Sequence, residues 1–248
     1  MATWDPHGQQ HLESIRASLV EVGVVDLVRR EAIEVWRANR ERYEPDELHD
    51  DAFTLGVLSS RNLSNRILDQ VGRSESWRAA GVSAAREFTG TVVRTPSADV
   101  RLVKAPHSTG REPVFRADFE WNSSESRLAA AARNRAVYPV PPRQPGAEPL
   151  FELNVPGAAQ AVKGCRDAFL VWGAEIENGL TAGWLGLPTT SSDRWIAVIP
   201  AWWDEASAPG VAYEEDGSAP NSEAGFGARP APVPTITLKR VDAEGFGR

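Results

Sequence analysis

Asp118 and Glu120 stand two residues apart, Lys104 lies upstream, and a serine-rich helix start follows at 123–126. If residues 114–121 form a strand, both carboxylates fall on one face of it. Two carboxylates beside a lysine suit a metal-dependent phosphodiesterase, with oxygens to hold Mg²⁺ and an ammonium to steady the attacked phosphate. On that reading Asp118, Glu120 and Lys104 are the catalytic set and Mg²⁺ is the cofactor. The same charges also suit the solvent face of an antiparallel strand. The sequence carries no Gly-x-Ser-x-Gly elbow, Walker loop, dinucleotide fingerprint or His-Glu-x-x-His. His7 and His11 share a helical i,i+4 spacing without a third ligand nearby, so no metal is assigned to them.

A second stretch reads as recognition rather than catalysis. Residues 51–68 place Ala52 four residues before Gly56, a Leu55-Gly56-Val57 turn, then Ser59 and Ser60 ahead of Leu63, Ile67 and Leu68. This segment resembles a helix-turn-helix, with Leu63 one place later than the motif's apolar position. The resemblance implies a DNA partner, with Arg61, Asn62, Asn65 and Arg66 facing the groove, since Arg suits guanine and Asn suits adenine. The acids and lysine of the first set loosely resemble the restriction-nuclease core, with Asn122 standing where that core carries its lysine. Trp202 and Trp203 are the other candidate, an exposed aromatic pair for a protein partner.

The elements that must position these groups begin at Asp5-Pro6, an N-cap followed by proline at the first helical position. Leu12, Ile15, Leu19 and Val22 recur at helical steps up to Gly23. Val25, Val28, Ala32, Val35 and Trp36 continue the pattern to about residue 42, and the acidic run 44–51 opens a third helix. A further helix containing Trp77 is expected within 72–85. Strands are expected at 91–94, 100–105 and 114–121, with Val100, Leu102 and Lys104 on one face and Arg101 and Val103 on the other.

Downstream, a helix over 124–138 ends in the proline-rich connector 139–149. A strand at 151–155 and a helical turn at 158–164 lead to a meander. Residues 167–176 and 180–188 flank Asn178-Gly179, a strong hairpin signal. A two-residue turn would pair Trp172 with Leu185 and Leu170 with Leu187, lay Trp184 over Gly173, and bury Leu170, Trp172, Ala174, Ile176, Leu185 and Leu187 on one side. Residues 194–200 supply the third strand. The stretch 206–248 reads as a poorly ordered acidic tail with a possible strand at 235–241.

The net charge of −7 argues against gripping nucleic acid by bulk charge, and leaves a local basic face open. The single cysteine, Cys165, permits no intrachain disulfide, and no apolar run is long enough to span a membrane, so a cytoplasmic location is expected. The fold class that follows is α+β: a helical region (1–85) packed on a mainly antiparallel sheet region (86–205), with the tail beyond. The function expected is that of a non-enzymatic macromolecule-binding protein, with the phosphodiesterase as the alternative.

Overall fold

A computed structural model describes residues 4–87, 90–106, 111–139 and 157–204. Asp5 is extended and its carboxylate accepts the Gly8 amide at 2.8 Å, with Pro6 opening helix α1 (Pro6–Glu21). Gly23, at φ 77°, turns the chain into α2 (Val24–Arg40). Three helices follow or interleave with the sheet: α3 (Ala52–Arg73), the short α4 (Glu75–Ala79) and, later, α6 (Glu125–Val137). Single turns form α5 (Phe115–Asp118) and α7 (Ala158–Ala161).

Six strands, β1 (Ser83–Glu87), β2 (Gly90–Arg94), β3 (Asp99–Lys104), β4 (Asp167–Ala174), β5 (Thr181–Pro188) and β6 (Trp195–Trp203), lie side by side in sequence order. Every pairing is antiparallel except β3 with β4, whose parallel register sets Asp99 beside Asp167 and Lys104 beside Trp172. A parallel pair needs a long crossover. Here the crossover carries α5, α6 and α7.

Helices α1, α2 and α3 cover one face of the sheet. Leu12, Ile15, Leu27, Trp36, Leu63 and Ile67 pack there with Val100, Leu102, Leu170, Trp172, Leu185 and Leu187. Leu170, Leu185 and Leu187 are at most 1 % exposed, as the alternation requires. The other face of the central strands is buried too, beneath Phe119, Trp121, Ala130 and Ala131, with Phe169, Val171, Trp184 and Trp195 on its side. The fold is thus α+β on a mixed, mostly antiparallel sheet.

Several local expectations are corrected. The segment 51–68 contains no turn: Asp51 caps α3 through the Thr54 amide at 2.6 Å, and one helix runs unbroken to Arg73 with Gly56 buried in it. The acidic run 44–51 forms turns that precede this helix rather than its first turn. Within 72–85 the end of α3 and the five residues of α4 are helical, and β1 starts at Ser83. Residues 114–121 are not a strand; they form α5 and the start of a 3-10 turn, Trp121–Ser123.

In the hairpin, Leu170 pairs with Leu185 and Trp172 with Gly183, a slip of two from the expected register. Glu175 and Leu180 close a four-residue loop in which only Gly179 has positive φ. The Asn178 side chain accepts the Leu180 amide at 2.9 Å instead of its backbone turning left-handed. Trp184 sits opposite Val171, not Gly173; Trp202 covers Gly183, and Trp195 covers Gly186. Residues 140–156 and 205–248, with the expected connector, the strand at 151–155 and the tail, lie outside the described residues.

Candidate binding surface

The expected catalytic set does not converge. Lys104 continues the Val100 and Leu102 face of β3, under the helical layer, where its Nζ lies 5.5 Å from the Trp36 ring centre and 5.1 Å from that of Trp172. It donates to the Ala105 carbonyl at 3.2 Å. Burial among these rings pushes the ammonium down to about 8. Asp118 and Glu120 belong to the opposite layer, flanking Phe119 of the second core. The Asp118 carboxylate accepts its own turn's Val114 amide at 2.5 Å, and exposed Glu120 pairs with Arg194 at 3.2 Å. Lys104 and the two carboxylates thus belong to opposite layers rather than to one constellation. Among the described residues no three His, Cys, Asp or Glu side chains are grouped to hold a metal.

The Trp202–Trp203 pair also separates. Trp202 is buried, with its Nε1 donating to Thr181 Oγ1 at 3.1 Å. Trp203 is 46 % exposed, and the Arg111 guanidinium carbon sits 3.8 Å from its ring centre.

The recognition residues fare differently, because helix periodicity gathers on α3 what a turn would have splayed. Asn62, Asn65 and Arg66 line a cleft of about 210 Å³ between α3 and α2, facing Val35, Ala38, Asn39 and Arg42. Its floor is polar and satisfied: buried Asn39 donates to Ser59 Oγ at 3.1 Å and accepts from Asn62 at 3.0 Å. Buried amides and hydroxyls without partners would cost about 1–3 kcal/mol each, so this ladder also sets how α2 and α3 abut. Arg66 reaches Glu31 at 3.1 Å, where Arg30 also binds at 3.3 Å. Asn65 accepts from Arg86 at 2.5 Å. Arg61 and Arg42 are exposed, and neither side chain has a partner among the described residues.

Beside the cleft lies a feature that periodicity at 51–68 concealed. Phe53, Val57 and Leu58 are 59, 53 and 43 % exposed, and Leu48 in the preceding turn is 69 % exposed. Four of the nine exposed large apolar side chains among the described residues therefore fall within 48–58. Read as a two-helix motif, Leu55 and Val57 belong to the turn; in one continuous helix Leu55 turns inward while Val57 and Leu58 turn out. Helix-wheel positions at 100° per residue would have shown this, given the right element. Comparison of the chain with family models, with curated proteins and with solved structures finds no match.

Proposed function

We propose that this chain is a non-enzymatic binding protein that takes a protein partner on the outer face of α3, at Val57, Leu58 and Arg61, with the neighbouring cleft at Asn62, Asn65 and Arg66. The observation that carries the proposal is the cluster of exposed apolar side chains at 48–58. An apolar patch of this kind costs solubility when left bare, and a partner that covers it gains burial free energy. Arg61 follows it on α3 and Arg42 lines the neighbouring cleft, so a partner segment mixing apolar and acidic side chains is complementary.

Duplex DNA is the second reading, favoured by Arg61 and Asn65, which stand one turn apart on the exposed side of α3. The two readings part on a pair of variants. Val57→Asp with Leu58→Asp is expected to abolish capture of a protein partner, with circular dichroism and melting temperature unchanged. Arg61→Glu is expected to weaken that binding several-fold. On DNA the same Arg61→Glu would remove a salt-dependent mobility shift, and the apolar pair would matter less. Partner and DNA binding that survive all three substitutions would take the surface off α3 altogether.

A further inference from the structure

Along α1, beside the turn formed by α7 and the 3-10 segment Val162–Gly164, lies an open pocket of about 470 Å³. We infer that this pocket binds a small organic oxyanion, a phosphate or carboxylate group attached to a compact apolar body.

The lining carries the argument. His7, His11 and Ser14 follow one another on a single face of α1 at steps of four and three, with Gln10 among them. Exposed Lys163 borders the pocket from the opposite element, and Ala159 and Val162 supply its apolar wall. Among the described lining residues there is no carboxylate, although acids outnumber bases 34 to 27 in the chain. His7, Gln10, Ser14 and Lys163 can each donate a hydrogen bond there, and Lys163 has no ion-pair partner among the described residues. Such a lining is complementary to negative charge and repels a cation.

His11 is oriented by the fold. Its Nε2 lies 2.9 Å from the Cys165 carbonyl oxygen, which can only accept, so Nε2 carries the hydrogen. Nδ1 is left for a ligand: it accepts from a ligand hydroxyl, and in the protonated ring it donates to the oxyanion. The volume exceeds what one inorganic phosphate fills, and the apolar wall gives the remainder of the ligand a surface to cover.

With four histidines in the chain, proton NMR of the imidazole Cε1–H signals reads the site directly. The signals of His7 and His11 are assigned from His7→Gln and His11→Gln, and exposed His49 is the internal control. Titration of the full chain with phenyl phosphate and, separately, benzoate is expected to move the His7 and His11 signals saturably while His49 stays still. Inorganic phosphate is expected to act more weakly than phenyl phosphate, which isolates the contribution of the apolar wall. The phosphate and carboxylate arms tell which headgroup the site prefers. Lys163→Met is expected to weaken binding about tenfold or more, through loss of a charge-assisted contact. Linear, non-saturating shifts shared by His49, or an affinity unchanged in Lys163→Met, would overturn the inference.

Discussion

Lys104 shows how a single side chain can invite the wrong chemistry. An amine held near 8 looks like an activated nucleophile. Its surroundings are instead two indole faces and one carbonyl oxygen, with no acid from the expected set beside it. The ring faces attract the ammonium, while burial disfavours its charge and pulls the value down. In the unfolded chain the amine returns to its ordinary value of 10.5. Between about 8 and 10.5 the unfolded state therefore binds more protons, and this residue's contribution makes stability rise with pH. Lys104→Met is expected to stabilise the fold at pH 7 by roughly 1–3 kcal/mol, a gain that shrinks to nothing above about pH 10.5. Urea denaturation of both proteins at pH 7 and 10.5 measures it, and equal midpoint differences at the two values would contradict it.

At the scale of elements, spacing alone admitted two answers at several places, and packing chose between them. Phe115 and Phe119 are four apart, which satisfies both a strand's period of two and a helical turn. They stack with ring centres 5.6 Å apart and surround Trp195, which requires them on one short turn rather than on an extended edge. Gly56 is a reasonable turn residue, yet a glycine inside a helix costs only about 1 kcal/mol, and α3 buries Leu55, Leu63, Ile67 and Val71 around it. In the hairpin, the slip of two residues left every side chain on its expected face, because the strand period is also two. It changed which glycine lies under which indole. A methyl at position 183 would be driven into the Trp202 ring, so Gly183→Ala is expected to destabilise by about 1–3 kcal/mol, as overpacking does. Gly72→Ala on exposed helix surface, with nothing within 4 Å, is the matched control and should leave the thermal midpoint level or raised.

Across the whole molecule, one buried carboxylate ties the parts together. Asp167 begins β4 beside Asp99 of β3, accepts from Arg101 at 2.5 Å, and takes a two-point contact from Arg133 of α6 at 2.8 and 2.6 Å. Asn134 binds its carbonyl at 2.7 Å and that of Pro188 at 3.0 Å. Strand β3, its parallel partner, the crossover helix and the end of β5 are thereby joined at one point. Asp167→Ala is expected to cost about 3–5 kcal/mol, because Arg101 would stay buried with only Glu87 as a charged partner. Arg133→Ala should cost far less, its side chain being 55 % exposed. Comparable losses of melting temperature in the two variants would refute this division. Asp167 lies 33 to 66 residues from Arg101, Arg133 and Asn134, which is why neither the network nor the parallel β3–β4 pair was legible in the sequence. Local pattern did determine the Asp5 cap, the first two helices, the three strands of the meander and their leucine-bearing buried side, since each depends on neighbours a few residues away. Tertiary structure decided whether 51–68 bends, which layer receives Lys104 and which Asp118, and therefore which side chains can meet one ligand, because those outcomes turn on what packs across the sheet from far along the chain.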